Sequence, residues 1–246
     1  MAGVIRIGIG GWTFPPWRGT FYPQGVRQGD ELAFASRKLT AIEVNGTYYS
    51  GFTPATFAKW AGETPDGFVF SLKASRFCTN RKVLADGRES IARFMGQGIG
   101  ELGDRLGPIL WQLANTKRFD REEIAAFLDL LPAALDGRRL RHVIEARHES
   151  FIDPRFIDLC RARGVAICVA DHETYPLIDE ATADFTYARL MRGKDEIETC
   201  YPPADLDAWV VRLRGYAARG DVFAFFISGG NPRAPAGAMA MIERLK

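Results

Sequence analysis

The sequence has few of the residues on which metal clusters and disulfide frameworks depend. Its 246 residues include three histidines and four cysteines. The cysteines form no CxxC pair, so we expect reduced, structural thiols and neither a zinc ribbon nor a disulfide framework. Three histidines are too few for a multinuclear zinc site rich in histidine. The sequence requires no cofactor, although Mg²⁺ or Mn²⁺ held by carboxylate oxygens stays open.

A surplus of one charge and a long apolar run are also missing. Lys and Arg number 32 against 30 Asp and Glu, a formal net charge of +2, which is too balanced for bulk capture of nucleic acid or an acidic membrane. The longest apolar stretch, 222–227, falls far short of the roughly 18 residues of a membrane span, and the N-terminus lacks a signal-peptide pattern. We therefore expect a cytoplasmic protein with no membrane partner. Nothing in the sequence indicates an oligomeric state.

Eight short apolar runs, rich in β-branched and aromatic residues, alternate with segments that have helix start and stop residues. Parallel neighbouring strands need a crossover connection, which a helix supplies. About 31 residues per strand and helix match a closed barrel, so we expect an α/β fold. It would be a single-domain (β/α)8 TIM-type barrel of eight parallel strands over residues 1–246, with an open doubly wound sheet as the alternative. The predicted strands are 4–10, 40–45, 68–73, 108–113, 142–147, 165–170, 184–190 and 222–227.

Helix boundaries are predicted from capping residues between these runs. Pro directly follows Thr53 and Asp153, and Glu123 lies three residues after Asp120. Both patterns are typical of helix N-caps. Gly164 is expected to end the helix that follows Asp153. Gly220 is expected to end the helix that leads into the eighth strand. Each predicted helix therefore connects one strand to the next.

Polar side chains close several of the predicted strands, at the end where TIM barrels hold their active sites. The alternation of side chains along a strand makes two polar residues on each of four strands point into the barrel. Two carboxylates and three cations then meet, which favours a site for a polar, anionic ligand. A layer of satisfied ion pairs is the alternative. The pairs are Glu43 with Asn45, Ser71 with Lys73, Glu145 with Arg147 and Tyr187 with Arg189.

Catalytic roles are predicted for Glu43, Glu145 and Lys73, because burial and neighbouring charges tune carboxylates and lysines for proton transfer. Arg147 and Arg189 suit bidentate contacts to phosphate or carboxylate. The aromatic loop 10–23 is expected either to cover the mouth, to stack on a ligand, or to be anchored by its apolar side chains. The residues predicted to bind substrate are Trp12, Trp17, Arg18, Asn45, Tyr48, Gln112, Arg147, His148, Asp171, Tyr187 and Arg189.

Segments along nearly the whole chain resemble the YecE-like domain of unknown function 72 family. The resemblance implies a TIM-barrel fold and a site at its mouth, with no established reaction. The matching segments are 8–12, 17–19, 21–23, 43–49, 54–60, 64–68, 71–73, 106–108, 112–113, 145–148, 150–151 and 187–190, with Asp171 and Tyr201.

Three segments depart from the family pattern. Ile9 and Gly10 stand where the family typically has Thr and Ser, and Met191 stands where it commonly has His. The eighth strand ends in Phe226, Ile227 and Ser228 instead of Phe-Asn-Asn, and Asn231 is displaced beyond two glycines. If these side chains act in relatives, this chain has an altered substrate or reduced activity.

The favoured function is an enzyme, of the hydrolase, lyase or isomerase type, that acts by acid/base chemistry. Its partner would be a small polar or anionic molecule, phosphate-containing or sugar-like, bound at the carboxyl-end mouth. One alternative is a nucleic-acid-binding or repair-type barrel, with basic pairs 81–82, 117–118 and 138–139 on the phosphates. Another is a binder that has kept the fold without catalysis.

Overall fold

Eight parallel strands close into a barrel in the computed structural model, which describes residues 2–227 and 232–246. Each strand pairs with the next along the chain, and the last pairs with the first, so the predicted closed barrel is confirmed and the open sheet is not formed. The strands are β1 (Ile5–Gly10), β2 (Ala41–Val44), β3 (Val69–Lys73), β4 (Leu106–Gln112), β5 (His142–Glu145), β6 (Ala166–Asp171), β7 (Phe185–Leu190) and β8 (Asp221–Phe226).

Helices surround the barrel, but their spacing is less regular than that of the strands. The connection 172–184 between β6 and β7 contains no helix, and a two-stranded hairpin, Ala134–Leu135 with Arg138–Arg139, precedes β5. No helix in the described ranges is long and apolar enough to cross a membrane. The α-helices are α1 (Glu31–Ala35), α2 (Gly46–Tyr49), α3 (Pro54–Glu63), α4 (Arg76–Thr79), α5 (Arg88–Met95), α6 (Arg121–Leu128), α7 (Pro154–Arg163), α8 (Pro203–Ala217) and α9 (Ala234–Leu245).

The three predicted N-caps are confirmed. Thr53 Oγ1 accepts a hydrogen bond from the Thr56 amide at 3.3 Å, and Asp120 Oδ1 accepts one from the Glu123 amide at 2.8 Å. Asp153 caps α7 in the same way. Each cap satisfies an amide that the first helical turn leaves without a backbone partner.

The two predicted helix ends have different outcomes. Gly164 ends α7 in the left-handed conformation, with φ of 61°, as expected. The prediction for Gly220 is wrong, because α8 ends three residues earlier, at Ala217. Gly220 instead packs against the chain before β7, where an added Cβ would lie 2.0 Å from the Asp184 carbonyl oxygen. A close backbone approach, and not a helix end, explains this glycine.

The barrel interior confirms the predicted alternation of side chains. A buried cluster inside the barrel includes Ala41, Val69, Val143 and Tyr187. Each of these lies two residues before a polar residue of the next layer, so the polar residues also point inward. A larger apolar cluster packs between the strands and the helices. All four cysteines are buried and free, as expected of structural thiols.

Candidate functional site

Arg189, on β7, joins carboxylates from opposite sides of the barrel. Its Nε and Nη2 donate hydrogen bonds to Glu43 Oε2 and Oε1, at 3.0 and 2.9 Å. Its Nη1 donates to Glu145 Oε2 at 2.6 Å. Glu43 ends the inward face of β2 and Glu145 that of β5, and all three side chains are buried. The Arg189 guanidinium therefore donates hydrogen bonds to three of the four carboxylate oxygens of Glu43 and Glu145. Its contact with Glu43 is bidentate.

Further donors complete the hydrogen bonding of Glu43. The Tyr187 hydroxyl donates to Glu43 Oε2 at 2.7 Å. Ser71 Oγ lies 2.8 Å from the same hydroxyl and donates to the Pro108 carbonyl at 2.9 Å. Burial, reinforced by the charge of Glu43, raises the pKa of Tyr187 far above its usual value. The phenol therefore stays protonated and acts as a fixed donor.

A second arginine completes the hydrogen bonding of Glu145. Arg147 Nε donates to Glu145 Oε1 at 2.8 Å, and its Nη2 donates to Gln112 Oε1 at 2.6 Å. Burial opposes ionisation of Glu145, but the charges of Arg189 and Arg147 outweigh it and lower its pKa. Two carboxylates and two guanidiniums thus neutralise each other. This part of the polar layer matches the alternative of satisfied ion pairs.

Lys73 is the cation that this network leaves out. It ends β3, is 7% exposed, and forms no ion pair or hydrogen bond through Nζ with any residue that the structure describes. Nζ lies 4.2 Å from the ring centre of Tyr48, in cation–π geometry. Burial, followed by the charge of Arg189, lowers the pKa of Lys73 to about 8. Near that pH the side chain exists both as ammonium and as free amine.

A cavity of about 630 Å³ opens above this layer, at the carboxyl ends of the strands. One part of its wall is charged or polar and another is apolar, so it suits a ligand that has both characters. The polar lining residues are Asn45, Lys73, Gln112, Arg147, His172 and Arg189. The aromatic ones are Phe14, Trp17, Tyr48, Tyr49, Tyr175 and Phe226. The remaining ones are Gly10, Met191, Ile227 and Ala234.

The sequence matches the profile of the family described as "Protein of unknown function DUF72" over residues 6–246. The chain belongs to the DUF72 family. The resemblance to the domain of unknown function 72 is therefore confirmed. Membership of this family does not identify a reaction.

Solved DUF72 structures show the same fold. A crystal structure of a DUF72 family protein from Thermotoga maritima has a TM-score of 0.80 and 20% sequence identity, covering 98% of this chain and 99% of that one. A DUF72 family protein from Enterococcus faecalis has a TM-score of 0.76 and 16% identity, covering 98% and 95%. No curated protein matches the sequence. At these identities the comparison supports the barrel and says nothing of substrate.

The structure brings most of the predicted residues of this DUF72 chain to the mouth. Glu43, Glu145 and Tyr187 lie beneath the cavity, in the ion-pair layer, and do not line it. Those that line the cavity wall are Trp17, Asn45, Tyr48, Lys73, Gln112, Arg147 and Arg189.

Two predicted residues of the aromatic loop lie outside the mouth. Trp12 packs edge-on against Trp60, with ring centres 5.0 Å apart, in the wall of a neighbouring cavity of about 330 Å³. Arg18 Nε pairs with the buried carboxylate of Glu31 at 2.8 Å. Trp12 anchors the loop as in the third expectation for this segment, whereas Arg18 anchors it through an ion pair. From the same loop, Phe14 reaches the mouth.

His148 also lies away from the cavity wall. Its Nδ1 accepts a hydrogen bond from the Ser150 amide at 3.1 Å and so caps the 3-10 helix Glu149–Phe151. Its Nε2 lies 3.3 Å from Arg118 Nη1. These contacts are structural, since they hold the turn that follows Arg147.

Asp171 points away from the barrel interior. Its parity along β6 is opposite to that of Cys168, which lies in the interior cluster. Its Oδ1 accepts a hydrogen bond from Arg192 Nε at 2.6 Å, and its Oδ2 accepts one from the Tyr201 hydroxyl at 2.9 Å. The predicted ligand contact of Asp171 has no support in this placement. The same alternation would have selected His172.

His172 and Tyr175 are mouth residues that the sequence analysis did not select. Their rings stack with centres 3.7 Å apart and an angle of 9° between planes. The Arg147 guanidinium lies 4.6 Å from the Tyr175 ring centre. Burial, followed by the charge of Arg147, lowers the pKa of His172. At neutral pH this stack therefore adds little charge and supports Arg147.

Three of the positions that depart from the DUF72 pattern make the cavity wall apolar. Gly10, Met191 and Ile227 line the mouth, whereas Ile9 packs in the outer core. A Cβ added to Gly10 would lie 2.8 Å from both Asn45 Nδ2 and Ile227 Cδ1, so Ile227 occupies the space of a side chain there. Ser228 and Asn231 lie outside the described residues.

No metal site stands out in the described ranges, where no group of three or more His, Cys, Asp or Glu residues is placed to hold a metal ion. In the basic pairs, Lys117, Arg138 and Arg139 each form an ion pair with a neighbouring carboxylate. Arg81 and Arg118 contact Ser90 and His148 instead. Nucleic-acid binding stays a prediction.

Proposed function

We propose that this DUF72 chain is an enzyme that binds a small anionic substrate in the barrel mouth and acts on it by acid/base chemistry. The observation that carries the proposal is the unmatched charge of Lys73 in the cavity wall. Lys73 is 7% exposed and lines the cavity, and a largely desolvated ammonium that has no ion-pair partner is costly. An anionic ligand supplies the missing partner, so binding is favoured where Lys73 lies.

Arg147 supplies the second contact to the anion. Its Nε and Nη2 are held by Glu145 and Gln112, while Nη1 donates no hydrogen bond to any residue of the described ranges. The guanidinium lines the cavity and rests on Tyr175. A carboxylate or phosphate thus meets a preorganised donor, which lowers the entropy cost of binding.

The apolar wall restricts the rest of the substrate. Met191 and Ile227, with Phe14, offer no hydrogen bonds to a hydroxyl-rich ligand. A polar group buried there would lose its hydrogen bonds to water without replacement. We therefore propose a phosphorylated or carboxylated molecule with a compact apolar portion.

Lys73 is the proposed acid/base group. A catalytic group works best when its pKa is near the working pH, and that of Lys73 is lowered to about 8. Glu43 and Glu145 act as positioning residues, since their oxygens are occupied by Arg189, Arg147 and Tyr187. Their hydrogen bonds hold Arg189 and Arg147 in place beside Lys73.

The binding step is tested with phenyllactate, which has a carboxylate and an apolar ring. We expect calorimetry at pH 7 to show binding to the wild type, and Lys73→Met to weaken it about tenfold or more, since a hydrogen bond to a charged group contributes roughly 1.5–3 kcal/mol. Lys38→Met is the matched control, because Lys38 also lies over an aromatic ring, at 5.8 Å from Phe34, but on the exposed surface. No binding to the wild type, or equal binding to Lys73→Met, would contradict the proposed site.

The catalytic step is tested by exchange of the C3 hydrogens of phenylpyruvate in D₂O, followed by NMR. The wild type should accelerate exchange above the protein-free rate, and Lys73→Met should return it to that rate. Binding without accelerated exchange would favour the alternative of a non-catalytic binder.

A further inference from the structure

Lys73 has the environment of a nucleophile as well as that of a base. Resting on the proposed function of the mouth, we propose that Lys73 Nζ forms a covalent imine with the carbonyl carbon of a 2-oxo acid that has an apolar side chain. The mouth brings together the three groups that such a substrate needs. They are an unpaired amine, a guanidinium for the carboxylate, and an apolar wall.

The backbone at Lys73 is firmly held. Lys73 ends β3, pairs in register with Leu110 of β4, and its carbonyl accepts a hydrogen bond from Thr47 Oγ1 at 2.7 Å. The side chain is 7% exposed and lines the cavity. Because the strand is fixed, Nζ is confined to one wall, which favours reaction with a bound carbonyl group.

A partly buried lysine, Lys117, shows what is different about Lys73. The side chain of Lys117 is 12% exposed, but its Nζ pairs with Glu123 at 2.8 Å and donates to the Lys82 carbonyl at 2.6 Å. These contacts occupy the nitrogen of Lys117, so it is not free to meet a ligand. Lys73 Nζ has no hydrogen-bond or ion-pair partner among residues 2–227 and 232–246. Burial and the charges of Arg189 and Arg147 lower the pKa of Lys73, against the opposing charges of Glu43 and Glu145. Desolvation next to other cations is one of the ways in which lysine nucleophiles are activated.

The lowered pKa of Lys73 increases the fraction of its side chain that is present as free amine. With its pKa lowered from 10.5 to about 8, Lys73 has on the order of a hundredfold more free amine at pH 7 than an ordinary lysine. Attack on a carbonyl requires that free amine.

The covalent step balances without an oxidant or reductant. The neutral amine attacks the carbonyl carbon, so that a C–N bond forms and the carbonyl π electrons move to oxygen. A proton passes from nitrogen to that oxygen, giving a carbinolamine. The nitrogen lone pair then forms the C=N bond as the oxygen leaves as water, with one proton supplied by solvent. One amine, one carbonyl compound and one proton give one iminium ion and one water molecule.

The substrate class follows from the two walls beside the amine. Arg147 Nη1 faces no competing acceptor among the described residues and takes the carboxylate next to the carbonyl. Met191 and Ile227 then receive the side chain. Phenylpyruvate is therefore the probe, and phenyllactate is its counterpart without a carbonyl group.

The test is reductive trapping of the full chain with phenylpyruvate and cyanoborohydride at pH 7.5, followed by peptide mass mapping. We expect a reduced adduct on Lys73 in at least tenfold excess over any other lysine. Lys73→Arg, which keeps the charge, should lose this adduct, whereas Lys38→Arg should keep it. Phenyllactate should compete with labelling of the wild type.

Labelling spread evenly over the lysines, or an absence of adduct on Lys73 in the wild type, would overturn the imine. The wild type carries the site assignment by itself, so a variant that fails to fold leaves the test intact. If phenyllactate binds and C3 exchange is accelerated without an adduct, Lys73 is a base only, and the proposed function stands while this inference fails. If phenyllactate does not bind either, the proposed function fails with it.

Discussion

Arg189 determines which charges at the mouth are left for a ligand. Its guanidinium takes three of the four carboxylate oxygens of Glu43 and Glu145, and Arg147 takes the fourth. Removing one partner from such a buried group costs roughly 3–5 kcal/mol, because the remaining charges stay buried and unpaired. With both carboxylates satisfied, Lys73 keeps its charge unmatched. The reactivity that we propose for Lys73 thus depends on how its neighbours pair.

The pH dependence of stability tests the state of Lys73. Burial gives the native state a pKa of about 8, against 10.5 for an ordinary lysine. Below pH 8 the native state holds a disfavoured ammonium, and this penalty is relieved as the pH rises from 8 to 10.5. Lys73→Met should therefore be more stable than the wild type at pH 7, and the gap should shrink by roughly 2–3 kcal/mol by pH 10.5.

Urea unfolding at several pH values measures that gap. Lys38→Met, on the exposed surface, should show no such pH-dependent difference from the wild type. A gap between Lys73→Met and wild type that stays constant from pH 7 to 10.5 would mean that Lys73 titrates like a surface lysine.

At the scale of elements, backbone contacts between strands place the polar layer. Residues Gly8, Ile9 and Gly10 of β1 pair in register with Ala41, Ile42 and Glu43 of β2. A Cβ added to Gly8 would lie 2.1 Å from the Ala41 carbonyl oxygen, so β1 and β2 approach too closely for any side chain there. Glycine at this position therefore contributes to the placement of Glu43.

Two glycine substitutions should change stability in opposite directions. Gly8→Ala should destabilise the protein by about 1–3 kcal/mol or more, since the strands must shift to admit the methyl group. Gly215→Ala, in the exposed part of α8, meets nothing within 4 Å and should stabilise the protein by about 0.5–1 kcal/mol through helix propensity. Urea unfolding measures both changes. A Gly8→Ala variant as stable as the wild type would show that the spacing of β1 and β2 is not limiting.

Across the whole molecule, local sequence patterns predicted the barrel and the inward layer but not the pairing within it. Eight strands and the inward direction of Glu43, Lys73 and Glu145 follow from alternation along each strand. The contact of Glu43 with Arg189 joins residues 146 apart and exists only because the barrel closes. No local pattern contains that information, so the sequence alone is compatible with both an anion site and a neutral ion-pair layer. The structure contains the neutral ion-pair layer, and Lys73 is the one cation of the predicted set that lies outside it.

Residues at the ends of strands and in loops were the other part of the mouth that local patterns did not place. Asp171 was selected because it closes β6, although alternation from Cys168 places it outside the barrel. His172 and Tyr175 lie at the start of the connection 172–184, which has no helical or strand periodicity to place it. Stacking on each other and on Arg147 holds these rings at the mouth. Such contacts depend on tertiary structure and are not visible in a single sequence.

A crystal structure of the protein with phenyllactate would show whether Lys73 and Arg147 together form an anion site. We predict that the carboxylate lies between Lys73 Nζ and Arg147 Nη1, with the phenyl ring against Met191 and Ile227 in the cavity of about 630 Å³. The ion pairs of Arg189 with Glu43 and Glu145 should remain as they are. An empty mouth at saturating phenyllactate, or a ligand that avoids Lys73, would contradict the account.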